Sequence, residues 1–107
     1  MLFDVRTYET KVGGVNPQLA LYEKHGKAPQ YKHLGEPVFF GITETGAVNT
    51  FTHIWAYEDA ADREMRRKAL FADPDWLVYM KETAQKGFLI KMNNSLMTEA
   101  PFFKFER

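Results

Sequence analysis

The side chains best suited to chemistry in this sequence lie at alternate positions of two segments. His53, Trp55 and Tyr57 follow one another at every second residue, and Arg6 and Tyr8 have the same spacing near the amino terminus. Alternate residues of a strand point to one face of a sheet. A pocket made by these side chains would bind a planar or anionic small molecule. Arginine forms a bidentate contact with a carboxylate, aromatic rings stack on a planar ligand, and histidine can take up or release a proton. The competing interpretation is an interface core whose polar groups satisfy one another across a dimer.

Other kinds of site have less support. The chain has no cysteine, which excludes disulfides, thiolate metal sites and thiol nucleophiles. The three histidines, His25, His33 and His53, include no pair spaced by one helical turn, so no metal site and no cofactor are predicted. The glycine pair at 13–14 lacks the further glycine and lysine of a phosphate-binding loop, and the single serine, Ser95, has no nucleophile motif around it.

Charge and length set the broad class. The 107 residues carry 14 basic and 14 acidic side chains, a net charge of zero, so neither nucleic acid nor an anionic membrane is an expected partner. No apolar run approaches the ~18 residues typical of a membrane span, and the first residues do not resemble a signal peptide. We therefore expect a soluble, cytoplasmic protein with one domain over residues 1–107.

A basic run over residues 63–68 is predicted to lie on a helix. Asp62 and Arg66, and Glu64 and Lys68, are four residues apart, a spacing that allows ion pairs along a helix surface. We interpret the run as a solvated face, with binding of phosphate or an acidic partner as the alternative.

The elements that position these residues follow from periodicity and from helix-end residues. Gly26 and Pro29 are expected to end the first helix, while Asp59 and the pair Asp73-Pro74 are expected to begin the later ones. The predicted elements are strands over 2–10, 38–42, 48–57 and 88–97 and helices over 16–28, 59–72 and 73–87. The order indicates an α+β fold of ferredoxin-like βαββαβ topology with an antiparallel sheet.

Helices in this topology cover one face of the sheet only, so the other face needs a partner. Ile54 and Ala56 are compact and are predicted to lie under the helices. The uncovered face would then carry Phe51, His53, Trp55 and Tyr57, with Leu2, Arg6 and Tyr8 beside them. Four such aromatic side chains offer roughly 600–1,000 Å² of surface, more than a soluble monomer exposes. A homodimer is therefore predicted, unless the assignment is inverted and the aromatic rings pack under the helices.

Several of these segments resemble the NIPSNAP family. The matching residues are the run 53–59, the charged positions 62–64 and 66–67, the run 70–76, and shorter matches at 6–8, 21–26, Gly35, 44–46, Asn49 and 101–102. The ending Phe103-Lys104-Phe105 lacks the Ser-Pro expected of the family. The resemblance implies a dimeric α+β barrel, in which two ferredoxin-like sheets face each other with the helices outside. It implies no agreed activity and no catalytic residues.

Three functions remain open at this point. The first is a homodimeric protein that binds a small aromatic or anionic molecule through Arg6, Tyr8, His53, Trp55 and Tyr57, or a scaffold without a reaction. The second, which rests on fold-level similarity, is a cofactor-independent monooxygenase or isomerase with His53 as base and Arg6 as anion clamp, with haem chemistry a smaller option. The third is a protein-interaction module.

Overall fold

In the computed structural model, which describes residues 1–107, four antiparallel strands form one sheet in the order β2-β3-β1-β4. Two helical units connect the strands, one between β1 and β2 and one between β3 and β4. The elements are β1 (Leu2–Thr10), α1 (Val15–Leu21), α2 (Lys27–Leu34), β2 (Phe39–Ile42), β3 (Thr50–Tyr57), α3 (Ala60–Phe71), α4 (Pro74–Lys86) and β4 (Leu89–Thr98). The predicted ferredoxin-like α+β fold is confirmed.

The ends of the second helical unit also agree with the prediction. The side chain of Asp59 accepts a hydrogen bond from the backbone N–H of Asp62 at 2.8 Å and so caps α3. Asp73 does the same for α4, accepting from the N–H of Asp75 at 2.9 Å. Gly87 ends α4 with φ of 65°, a conformation that glycine adopts without strain.

The first helical unit is longer than predicted, because neither Gly26 nor Pro29 ends it. It begins at Val15 and runs through a π-helical turn, Tyr22–Gly26, before α2 continues to Leu34. Pro29 lies in the first turn of α2, where a missing N–H disturbs the helix least. A Cβ at Gly26 would come within 2.9 Å of the rings of Tyr22 and Tyr79, so glycine serves close packing here and not termination.

The assignment of the two sheet faces was wrong and is inverted. Phe51, His53, Trp55 and Tyr57 are all buried under the chain's own helices, and Trp55 is 0% exposed. Trp55 and Tyr57 pack in one core with Tyr22, Leu34, Leu70, Trp76 and Tyr79. The physical reason is volume: large rings fill the space between a sheet and a helix layer, whereas compact side chains there would leave cavities.

The face without helices carries Ile54 and Ala56, in register with Val5 and Phe3 of β1. Phe39 of β2 lies on the same face opposite Ile54 and is 54% exposed. The tail covers one end of this face, where the Phe105 ring packs edge-on against Phe3 at 5.4 Å between centroids. Ile54, Val5 and Ala56 are only partly buried, so this open face is apolar and incompletely covered. None of the helices is long and apolar enough to cross a lipid bilayer.

Candidate functional site

A cavity of about 490 Å³ opens between the helix layer and the β1–β4 side of the sheet. It exists because the helices stop short of β4, whose residues 90–98 are all exposed. Eleven of the 17 lining residues are hydrophobic, with Phe51, Trp76 and Tyr79 among them. Lining of this kind suits a ligand with an apolar or aromatic body.

The structure brings together three of the five predicted site residues. Arg6, Tyr8 and His53 line the cavity, with the Tyr8 and His53 rings stacked at 5.1 Å between centroids. Trp55 and Tyr57 are not among the lining residues, since both are buried beneath the helices. Trp55 still reaches the site indirectly, because its indole Nε1 donates a hydrogen bond to Nδ1 of His53 at 2.5 Å.

Arg6 is held in place by neighbours on its own strand and on β4. Its Nη1 donates to Asp4 Oδ2 at 3.1 Å, its Nε donates to the Tyr8 hydroxyl at 3.1 Å, and its Nη2 lies 3.3 Å from the sulfur of Met92. The guanidinium is therefore engaged on several sides within the protein. Its role in the structure is to neutralise a buried carboxylate.

Asp4 is the centre of this polar cluster and is 0% exposed. Besides Arg6, it accepts hydrogen bonds from Arg63 Nε at 3.1 Å and from Asn94 Nδ2 at 3.2 Å. Burial alone would raise the pKa of Asp4, but the Asn94 hydrogen bond and the two guanidiniums outweigh it and lower that pKa below its ordinary value. Asp4 is therefore ionised, and its charge is met by two arginines.

His53 is held neutral. Burial, and then the nearby Arg6 guanidinium, lower the pKa of His53 to about 3. Because Nδ1 accepts the hydrogen bond from Trp55, the proton of the neutral ring belongs on Nε2. A general base needs a pKa near the operating pH, so this environment favours His53 as a hydrogen-bond donor to a ligand.

Arg67 lines the cavity, and the sequence interpretation missed it. Its guanidinium carbon lies 5.3 Å from the centroid of the Phe71 ring. Burial, and then repulsion from Arg6 and Arg63, lower the pKa of Arg67. A signal was present: Arg63, Arg67 and Leu70 are spaced as one helix face, and Leu70 is fully buried.

One of the two ion pairs predicted along α3 is present in the structure. Arg66 Nε and Asp62 Oδ1 form the predicted ion pair at 2.8 Å. The other predicted pair, Glu64 with Lys68, is not among the ion pairs of the structure. The run is therefore divided, because Arg67 lines the cavity whereas Arg66 bonds to Asp62 and to the His33 carbonyl of α2.

Trp76 lines the cavity and carries a buried polar atom. Its side chain is predicted as helix core, and it is 6% exposed. The indole Nε1 is buried without a hydrogen-bond partner. A buried donor without a partner is costly, so this N–H lowers the stability of the fold.

Comparison with known proteins assigns the chain to a family. The NIPSNAP family model matches residues 3–104. The chain belongs to the NIPSNAP family. A NipSnap homologue from Dictyostelium discoideum is 32% identical over 82 residues, covering 77% of this chain and 36% of that protein. Human NipSnap homologue 3A is 28% identical and covers all of this chain and 42% of that protein. The chain thus spans about two fifths of the length of these relatives.

Solved structures agree with the family and the fold. A NIPSNAP family protein of unknown function from Agrobacterium tumefaciens is 35% identical with a TM-score of 0.87, covering 96% of this chain and 91% of that one. An antibiotic biosynthesis monooxygenase, 15% identical over 94% of this chain and 100% of its own, has a TM-score of 0.63 and shows the fold alone. The NIPSNAP resemblance predicted from the sequence is confirmed.

Proposed function

We propose that this NIPSNAP protein is a homodimer that binds a small molecule with an aromatic or other apolar body and an anionic group. The observation that carries the proposal is the composition of the cavity wall. The wall is mainly hydrophobic, contains Arg6, Arg67 and Lys91, and includes no carboxylate side chain. A cavity of about 490 Å³ lies within the range typical of small-molecule sites.

Binding is favoured over catalysis by the state of the two predicted catalytic residues. His53 has a pKa of about 3, which is far from that of a base working near neutral pH. Arg6 donates to Asp4 and Tyr8 within the protein. The cofactor-independent enzyme and the interaction module have no comparable observation behind them.

The homodimer is supported by the open face of the sheet. Phe39 and Met97 are each 54% exposed, and Ile54 and Val5 between them are only partly buried. An apolar sheet face of this kind is usually covered, and a second copy of the same face is self-complementary under twofold symmetry. A fold neighbour with a TM-score of 0.69, 14% identical over 99% of this chain and 97% of its own, is described as a dimeric ferredoxin-like protein. The two sheets would face each other with the helices outside.

The ligand proposal predicts which of the two tryptophans responds to binding. In a titration with aromatic carboxylates followed by ¹H–¹⁵N NMR, the indole N–H signal of Trp76 should shift most, because its ring lines the cavity. The indole signal of Trp55 should move less, because its N–H is already bonded to His53. Signals that stay in place across benzoate, naphthoate and biphenyl carboxylate at millimolar concentration would contradict the proposal.

The dimer proposal predicts that one charge on the open face separates the subunits. Wild-type protein should show twice the 12.4 kDa chain mass in light scattering, whereas Ile54→Lys should show the single-chain mass with an unchanged circular dichroism spectrum. Met65→Lys on the outer side of α3 is the matched control and should remain dimeric, since Met65 is 64% exposed. A wild-type monomer at micromolar concentration, or an undisturbed Ile54→Lys dimer, would overturn the arrangement.

A further inference from the structure

We propose that the cavity is a carboxylate site and that Arg67 is the residue that binds the ligand's single negative charge. The inference rests on the proposed small-molecule function and names the chemical class of the ligand. That class is an organic monoacid with an aromatic or aliphatic body.

The count of charges around the cavity supports an anion at Arg67. The guanidiniums of Arg6 and Arg63 lie close enough to Arg67 to lower its pKa. Asp4 is the buried carboxylate among them, and it is bonded to Arg6 and Arg63. Two further cations line the cavity without an ion pair, Arg67 and Lys91, and of these Arg67 is partly buried whereas Lys91 is exposed on β4. A partly buried cation without a counter-ion is unfavourable, and a ligand anion removes that cost.

The same count favours Arg67 over Arg6 as the anion clamp. Arg6 has each of its three nitrogens engaged, by Asp4, Tyr8 and Met92. The guanidinium of Arg67 instead lies over the ring of Phe71. The N–H donors of Arg67 have no protein acceptor. Arg67, and not the predicted Arg6, is therefore the residue that binds the anionic group.

The donor set favours a carboxylate. One free guanidinium offers two parallel N–H groups, which match the two oxygens of a carboxylate. The Phe71 ring connects Arg67 to Trp76, because the centroids of Phe71 and Trp76 are 6.2 Å apart.

The remaining wall is suited to the apolar body of such an acid. From Arg6 toward the end of β1 the lining becomes hydrophobic, with Met92 opposite Tyr8 and Leu89 opposite Thr10. Met80 of α4 lines the same cavity and is 41% exposed. An acid bound at Arg67 would therefore extend along β4 away from the charged cluster.

Isothermal titration calorimetry with matched pairs of neutral and charged probes tests the assignment. Benzoate, 2-naphthoate and biphenyl-4-carboxylate are compared with their primary amides, which keep the shape and lose the charge. The wild-type protein should bind at least one carboxylate about tenfold or more tightly than its amide. Arg67→Met should abolish this preference and leave amide binding unchanged, while Arg67→Lys should keep only part of it because the planar fork is lost.

Lys68→Met is the control, since Lys68 is the neighbouring cation and does not line the cavity; it should retain the full preference. Thermal midpoints confirm that each variant is folded. Equal affinity of wild type for acid and amide, or a preference that survives Arg67→Met, overturns the Arg67 assignment while leaving the binding function in place. Failure of all six probes to bind overturns the binding function as well.

Discussion

Replacing Asp4 by alanine is expected to lower the free energy of unfolding by about 3–5 kcal/mol. Asp4 is fully buried and accepts hydrogen bonds from Arg6, Arg63 and Asn94. Without the carboxylate, two guanidiniums would face each other with no counter-charge, and the desolvation cost of both would remain. Urea denaturation followed by circular dichroism measures the effect.

Two further variants separate charge from shape and position. Asp4→Asn keeps the size and one acceptor, so most of the loss in this variant reports the missing charge. Asp75→Ala removes an exposed carboxylate from the first turn of α4 and should cost no more than about 1 kcal/mol. A loss for Asp4→Ala as small as that of Asp75→Ala would show that the arginines are satisfied by water and not by Asp4.

The strands and the capped helices were predictable because they depend on local rules. Alternation identified β1 and β3, and the aspartates Asp59 and Asp73 marked two helix starts. The π-helical turn was not predictable, since glycine and proline normally interrupt helices. Gly26 is needed because Tyr79, which is distant in the sequence, packs against it.

Alternation shows which residues share a sheet face, but it does not show which face the helices cover. Trp55 and Ile54 were assigned by side-chain size, and the assignment was inverted. The sequence predicts the homodimer from exposed aromatic rings, but these rings are buried under the helices and do not support it. Its support now comes from Phe39, Ile54 and Met97 on the other face.

The candidate site was predictable to the extent that one strand face defines it. Arg6, Tyr8 and His53 were found because register and spacing place them together. Arg67 was not predicted to line the site, because a basic run on a helix usually faces solvent. The four-residue spacings to acidic residues also indicate a solvated face, and the spacing of Arg67 to Leu70 indicates the buried one. Asp4 was missed because a lone carboxylate has no local motif.

His53 gives the fold a second pH dependence, at higher pH than that of Asp4. Its pKa is about 3 in the folded protein and near 6.5 in the unfolded chain. Between pH 6.5 and 3, His53 is protonated in the unfolded chain but neutral in the folded protein. The stabilisation of the fold by neutral His53 is therefore complete above pH 6.5 and is lost as the pH falls toward 3. The loss should be about 1.4 kcal/mol per pH unit within that interval. The stabilisation by Asp4 is complete above about pH 4 and is lost only below it, because the pKa of Asp4 in the folded protein lies under the ordinary carboxylate value.

The His53→Gln variant should lose the slope between pH 6.5 and 4.5, because glutamine does not titrate and its oxygen still accepts from Trp55. His25→Gln, in the π-helical turn, is the matched histidine control and should keep the wild-type slope. Trp55→Phe removes the donor that occupies Nδ1 but leaves the Arg6 guanidinium and the burial of the ring, so the pKa of His53 should stay below its ordinary value. Urea midpoints at half-unit pH steps and the NMR titration of the His53 ring measure both effects. A His53 signal that titrates near pH 6.5 in the wild-type protein would contradict the neutral, Trp55-bonded ring on which its role as a ligand donor depends.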